Sequence, residues 1–356
     1  LAPYSMVRVA KETTMRSLVI GSTVFLATLG SALAQGFNID IGCCTPPSAG
    51  YGSIAAQPGT WNLIRATANS TALVDIAGVP SAATISCNPP GVESSLNALP
   101  GADGALLNDM QELGFAPAQP PTYTWTVTGI ANGNYRVTFY SALNGPVAAG
   151  STEFVLQGGA AGALICTGPP VPGFFGFRYG AIFTQDSVTV TNGVLSWTAR
   201  AAVDDGAFNG VQIAPIVEGS VLRYCTAKVN SLGCVPAISW TDTPSIATNT
   251  FRVQASNVLN NSSGLLLWGH NANGLPFHGG NLCVGGLKTR TPLQNSGGNA
   301  PPVDCSGTYS FHWNLNYVNA HGLAAGDLVY CQYWYRDPAL QSGDGFTRGL
   351  MFVLAP

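Results

Sequence analysis

The chain has 356 residues, of which 9% are charged and 46% hydrophobic, with 43 glycines, 24 prolines and a formal net charge of -3. This apolar content is too high for a disordered chain. The weak negative charge, without a basic stripe, argues against nucleic acid and anionic membrane surfaces as partners. Few charges combined with many turn residues are typical of short strands joined by tight turns, so we expect an all-β protein.

Residues 1–34 have the features of an export signal. A charged start at Met15 leads into an apolar run over 18–30, and small residues follow as far as Ala34. The run is too short to span a bilayer, so no membrane insertion is expected. We predict a signal peptide cleaved after Ala34 and a secreted or cell-surface protein, with Met6 as an alternative start to Met15.

Two stretches after the leader alternate apolar and polar residues around an Asn-Gly turn. In 123–140 the turn is at Asn132-Gly133, and in 187–199 it is at Asn192-Gly193. Period-two alternation predicts half-buried strands, and Asn-Gly between two such runs predicts a hairpin. We therefore expect two hairpins in this region.

The strand pattern pauses near 216–220 and then resumes, which predicts two domains. Residues 35–217 are expected to form a jelly-roll-like β-sandwich with one helical turn over 105–113, and residues 218–356 a second β-sandwich. The strands predicted for the second unit are 251–255, 264–268, 281–284, 307–313, 327–335 and 349–354.

All nine cysteines follow the predicted cleavage point, and an exported chain with this many cysteines is expected to form disulfides. Cys225 with Cys234, which closes a short loop, is the first predicted pair. Cys283 with Cys305, across a loop rich in Pro and Gly, is the second. The odd total leaves at least one thiol free or paired between chains. The remaining cysteines are Cys43, Cys44, Cys87, Cys166 and Cys331.

Neither the cysteines nor the histidines predict a metal site. Cys43 and Cys44 are adjacent and can hardly bond to each other without strain, and no C-x2-C pair is present for zinc. The spacings of the four histidines match no ligand motif. We expect no cofactor, although Ca²⁺ at Asp204 and Asp205 stays open. The histidines are His270, His278, His312 and His321.

Short motifs occur in a fixed order and spacing in the second unit, at 224–231, 234–236, 263–266, 279–284, 304–307 and 332–338. By these motifs the second unit resembles a β-domain of unknown function from the C-terminal ends of exported proteins of environmental bacteria. The resemblance covers about 220–356 and implies no activity, only that the domain follows other extracellular modules.

Three stretches of the first unit carry a second resemblance, at 129–137, 192–195 and 208–213. In these stretches the first unit resembles jelly-roll carbohydrate-binding domains of the malectin and galactose-binding-like kind. It implies carbohydrate recognition by this unit, but no binding residue of those families can be carried over to this chain.

Sugar binding needs flat aromatic faces and fixed polar groups. The segment 174–179 offers four aromatic rings in a loop rich in Pro and Gly, and a Trp lies near another predicted loop. Core packing is the alternative for the aromatics, and a solvated turn is the alternative for two Asp residues at a predicted loop tip. The candidate ligand-binding residues are Trp61, Phe174, Phe175, Phe177, Arg178, Tyr179, Asp204 and Asp205.

The sequence favours a secreted non-catalytic binding or adhesion protein that recognises a glycan or cell-surface polymer through its first domain. A self-assembling extracellular structural subunit is the alternative, because weak charge repulsion permits self-association. A polysaccharide-active enzyme is the second alternative, although no G-x-S-x-G elbow is present and glutamates are few.

Overall fold

The computed structural model describes residues 35–95, 99–115, 121–143, 150–159, 161–168 and 176–356. The predicted leader, Phe174 and Phe175 lie outside these residues. No helix in the described residues is long and apolar enough to cross a membrane.

The N-terminal half is built from two β-sheets. The first is five-stranded, in the order β11 (Phe183–Val190), β8 (Gly133–Tyr140), β13 (Gly210–Pro215), β1 (Phe37–Ile41) and β2 (Trp61–Ile64). The second is eight-stranded, in the order β10 (Ala163–Cys166), β9 (Gly150–Leu156), β12 (Val194–Phe208), β7 (Tyr123–Thr128), β4 (Pro80–Asn88) and β3 (Thr71–Val74), with β5 (Val92–Ser95) and β6 (Asp109–Phe115) joined through β12.

The inner faces of these two sheets bury one hydrophobic core. Trp125 on β7 and Trp197 on β12 stack with their ring centroids 6.3 Å apart, and Phe139 on β8 stacks on Phe154 of β9 at 4.8 Å. All four rings are fully buried. Since side chains in a strand alternate between faces, the period-two pattern of the sequence becomes one apolar face per sheet.

The two predicted hairpins are wrong. Strand β7 pairs with β12 and β4, whereas β8 pairs with β11 and β13, so the turn at Asn132-Gly133 carries the chain across the core from one sheet to the other. The turn at Asn192-Gly193 crosses between the sheets in the same way. The two crossings lie side by side, and Gly193 N–H donates to Asn132 Oδ1 at 2.9 Å.

The helix predicted over 105–113 is displaced. Helix α1 spans Gly101–Leu107, and the chain then enters β6, which begins at Asp109. The side chain of Asn209 fixes this junction, since its Nδ2 donates to the carbonyls of Leu107 and Asp109.

The C-terminal half contains three sheets and one helix, α2 (Leu315–Ala320). The seven-stranded sheet has the order β14 (Val221–Tyr224), β25 (Gly349–Val353), β23 (Leu328–Arg336), β17 (Ser263–Gly269) and β20 (Thr289–Arg290), with β21 (Gln294–Asn295) on β17 and β24 (Asp344–Phe346) on β23. The three-stranded sheet has the order β15 (Ala237–Thr241), β16 (Arg252–Val258) and β22 (Gly307–His312). Strands β18 (Asn271–Phe277) and β19 (Gly280–Gly285) form a hairpin.

A second hydrophobic core joins residues of the seven-stranded and three-stranded sheets, and every strand predicted for this half is present. The prediction of an all-β protein built from sandwiches is therefore confirmed.

The four cysteines chosen from the sequence do form disulfides, but the predicted partners are wrong. Cys225 bonds to Cys283 and Cys234 bonds to Cys305. Cys225 directly follows β14, and the hydroxyl of the adjacent Tyr224 donates to the Cys283 carbonyl at 2.5 Å. Strand packing thus brings Cys225 beside β19 and away from its sequence neighbour Cys234.

The outer face of the five-stranded sheet is covered by the C-terminal half. A third buried cluster contains Trp61, Tyr140 and Phe183 from the first half together with Tyr330 and Met351 from the second. The described residues accordingly form one compact unit.

Candidate functional site

Three of the aromatic-loop candidates lie where the N-terminal half meets β18. Phe177 is half-buried and packs edge-on against Tyr140, and its carbonyl accepts from Gly274 N–H at 2.7 Å. Tyr179 is also half-buried, and its N–H donates to Asn273 Oδ1. The aromatic rings here contribute to packing between the halves, while Arg178 is exposed.

Trp61 does not present its ring to solvent. It lies on β2 with 6% of its surface exposed, and its Nε1 donates to the carbonyl of Tyr51 at 3.0 Å. The indole is therefore a core side chain of the third cluster.

Asp204 and Asp205 are not at a loop tip, which corrects the sequence expectation. Strand β12 continues through them to Phe208, and both residues pair with Gly150 at a β-bulge. The extra residue of the bulge places Asp204 at φ 50°. Burial raises the pKa of Asp205, whose Oδ1 accepts from Gly206 N–H.

A cavity of about 750 Å³ lies in the C-terminal half, at the tip of the β18–β19 hairpin. We call it the His278 pocket. Its lining residues are Ala227, Lys228, Val229, His278, Gly279, Gly280, Asn281, Leu340, Gln341 and Ser342.

The tip of this hairpin has an unusual backbone. His278 and Gly279 have φ values of 51° and 74°, and positive φ at both central residues is the requirement of a type I′ turn. Glycine adopts this conformation freely, but for a residue with a Cβ it costs on the order of 1 kcal/mol. His278 is held there by stacking on Phe277, with ring centroids 3.8 Å apart, and by Asp344.

Asp344 is the centre of a hydrogen-bond network beneath the pocket. Nδ1 of His278 donates to its Oδ2 at 2.6 Å, Nε1 of Trp334 donates to the same oxygen at 3.3 Å, and Nζ of Lys228 donates to Oδ1 at 3.2 Å. Burial by itself favours the protonated carboxyl, but hydrogen bonds from His278, Ser342, Lys228 and Trp334 outweigh it and lower the pKa of Asp344.

Lys228 has all three of its ammonium protons matched to acceptors. Besides Asp344 Oδ1, its Nζ donates to Ser342 Oγ at 2.5 Å and to the Asp344 carbonyl at 2.7 Å. The side chains of Lys228 and Asp344 are each 7% exposed, whereas that of His278 is 46% exposed. The charges lie below the surface, and the imidazole ring reaches the solvent.

The walls of the pocket are tied together covalently. The Cys225–Cys283 disulfide links the segment that carries Lys228 to strand β19. Close packing at Gly280 adds to this, because a Cβ there would lie 2.8 Å from the Cβ of Lys228. Nδ2 of Asn281 donates to Thr226 Oγ1 across the same gap.

The chemistry of the pocket favours a neutral polar ligand. Both oxygens of Asp344 are occupied by protein donors, which leaves no free carboxylate oxygen there for a cation. The exposed groups are the His278 ring and the Gln341 amide, and the half-buried amide of Asn281 and backbone groups lie beside them. Such a surface offers a flat ring and fixed hydrogen-bonding groups.

Sequence reasoning missed this pocket, although it considered His278 as a metal ligand. A local signal existed, since Phe277-His278-Gly279-Gly280 joins two short strand patterns. The partner Asp344 gave no such signal, because 66 residues separate it from His278.

No known protein family matches this sequence, and no curated protein matches it either. Among solved structures, a beta-glucuronidase from Bacteroides uniformis matches 65% of this chain and 26% of its own, with 9% identity and a TM-score of 0.18. A beta-1,2-glucanase from Parabacteroides distasonis matches 77% of this chain and 37% of its own, with 8% identity and a TM-score of 0.19. The chain thus spans only 26% and 37% of the length of these two proteins, and scores this low carry no functional argument.

Proposed function

We propose that this protein is a non-catalytic extracellular binding protein that recognises a neutral glycan in the His278 pocket. The observation that carries the proposal is the turn at His278, which has a strained backbone and presents an imidazole ring. This turn lies over the buried Lys228–Asp344 ion pair, whose two charges neutralise each other. Glycan sites combine a ring face for the C–H side of a sugar with fixed partners for its hydroxyls. The exposed His278 ring and Gln341 amide, with the half-buried amide of Asn281, supply both.

The same arrangement favours binding over catalysis. A serine activated by a lysine requires an amine that can accept a proton from the hydroxyl. Here the ammonium of Lys228 donates to Ser342 Oγ and is paired with Asp344. We therefore assign these residues to holding the pocket in shape.

An extracellular location is part of the proposal. Each of the two disulfides joins cysteines that are far apart in sequence. Such disulfides are typical of proteins that fold in an oxidising compartment, which agrees with the predicted leader. Cleavage after Ala34 is tested by N-terminal sequencing of the secreted protein.

The glycan proposal is tested with the full mature chain on an array of neutral and acidic polysaccharides, followed by titration calorimetry with the best ligand. Gln341→Ala and Asn281→Ala each remove a side-chain group that can hydrogen-bond to the ligand. Each variant should raise the Kd about tenfold, which corresponds to about 1.4 kcal/mol of binding free energy. Asn316→Ala, an exposed change on α2, is the matched control and should bind like the wild type.

Two outcomes would count against the pocket. One is the absence of binding to every glycan on the array. The other is binding that survives both pocket variants but is lost in Arg178→Ala, which would move the site to the aromatic loop predicted from the sequence.

A further inference from the structure

A cluster of metal-ligating groups lies in the N-terminal half, just after the end of strand β1. Cys43 and Cys44 follow β1 after Gly42, and their Sγ atoms are 2.9 Å apart. Asp109, the first residue of β6, reaches the same point. One ligand atom from each of these three residues lies within 4.8 Å of the other two. Cys44 is exposed and Cys43 is partly exposed, so the cluster is open to solvent.

Asp109 is held in this cluster by the backbone. Its Oδ2 accepts from the N–H groups of both Cys43 and Cys44 at 2.8 Å. This approach depends on Gly42, because a Cβ at that position would lie 2.2 Å from Asp109 Oδ2. The carboxylate is itself 1% exposed, so it is a fixed group and not a mobile surface acid.

Asp40 is a second, independent feature of this region that points to a bound cation. It is fully buried on β1, and neither carboxyl oxygen has a hydrogen-bond partner among the described residues. Burial, followed by the charges of Asp109 and Cys43, raises its pKa well above the usual range. Buried carboxylates are normally paired or bound to a metal. Arg65, which also interacts with the two thiols, is 57% exposed and already paired with Glu93.

We propose that Cys43, Cys44 and Asp109 form a binding site for a divalent, thiol-seeking metal ion of the Zn²⁺ type, with Asp40 as the buried carboxylate that offsets its charge. Binding replaces two thiol protons by two metal–sulfur bonds and adds one metal–oxygen bond, and the ionisation of Asp40 releases a third proton; all three protons go to solvent. Three protein ligands leave one coordination position open. Two sulfurs on one tetrahedral ion are roughly 3.8 Å apart, so the thiols must rotate apart by just under 1 Å.

The test uses Co²⁺ as a spectroscopic substitute for Zn²⁺ on the full mature chain at neutral pH. The exposed pair is first reduced under conditions that keep both disulfides, and thiol counting confirms its state. We expect one Co²⁺ per chain with a thiolate-to-cobalt charge-transfer band, displaced by Zn²⁺. Cys43→Ser/Cys44→Ser should abolish the band and each single variant should weaken it, while Asp40→Asn should weaken the affinity about tenfold, a loss of about 1.4 kcal/mol, because it removes a buried negative charge.

Cys87→Ala is the matched control, because this free thiol is buried in the first core and should leave the band unchanged. Near-ultraviolet circular dichroism checks that each variant is folded, and the exposed Cys44→Ser keeps the test valid if Asp40→Asn does not fold. The proposal is overturned if the reduced pair gives no charge-transfer band, or if the band persists in Cys43→Ser/Cys44→Ser. A Cys43–Cys44 disulfide that is present in the protein and resists reduction would also overturn it.

Discussion

At the scale of single residues, Asp344 connects the pocket to stability. Its carboxylate accepts hydrogen bonds from His278, Trp334 and Lys228, and these hydrogen bonds lower the pKa of Asp344 despite its burial. A lowered pKa in the folded protein means that the charged form stabilises the fold. This contribution is complete above the unfolded pKa near 3.9 and is lost as the pH falls through the folded value.

We therefore expect the free energy of unfolding to fall as the pH is lowered below about 4, and Asp344→Asn to flatten that part of the profile. At pH 7 the same variant should lose about 3–5 kcal/mol, because it leaves the buried Lys228 ammonium without its ionic partner. Urea unfolding at a series of pH values measures both effects. Asp204→Asn, an exposed change at the bulge, is the control. An unchanged acid slope in Asp344→Asn would refute this role.

The residues of the pocket show what the sequence could and could not predict. The His278-Gly279 turn is encoded locally, because it lies between two short segments with a strand pattern, so the sequence could have predicted it. The Lys228–Asp344 pair joins residues 116 apart, so no spacing rule could indicate it. Conversely, the exposed loop inferred from aromatic composition lies partly against β18, because aromatic rings serve cores as readily as ligands.

At the scale of elements, alternation predicted the strands well but not their partners. Trp125 and Val127 on β7 and Val137 and Phe139 on β8 all face one core. A hairpin and a crossing between two sheets both place apolar residues on one face of each strand. Period two therefore fixes which side chains are buried, while the choice of sheet depends on long-range pairing that the local turn does not encode.

The pairing of the cysteines also depends on how the strands pack, and it can be tested directly. Peptide mapping without reduction should recover Cys225 with Cys283 and Cys234 with Cys305, and not the pairs expected from short spacing. The Cys225→Ala/Cys283→Ala variant opens a 58-residue loop and should lose about 4 kcal/mol of unfolding free energy. It should also weaken ligand binding, since the bond joins two walls of the His278 pocket. Cys44→Ser, an exposed thiol outside both disulfides, should be neutral to stability in the absence of metal.

At the scale of the whole molecule, a layer of buried polar groups joins the two halves. Nη1 of Arg136 and Nε2 of Gln185, both in the five-stranded sheet, donate to the hydroxyl of Tyr330 on β23 at 2.8 and 3.0 Å. Nη2 of Arg136 donates to the Ala55 carbonyl. Since buried donors are expensive to leave unpaired, this layer should make the stability of each half depend on the other.

Tyr330→Phe tests this coupling, because it removes one oxygen that serves donors from the opposite half. We expect the free energy of unfolding to fall by about 1–3 kcal/mol, and by the same amount in both halves. Hydrogen exchange followed by mass spectrometry measures it, with β8 and β23 as separate reporters. Tyr309→Phe is the matched control, since its hydroxyl donates to Ser262 within the C-terminal half and leaves no buried cation unpaired. If Tyr330→Phe lowered protection in β23 but left β8 unchanged, the halves would be independent folding units and the polar layer only a contact between them.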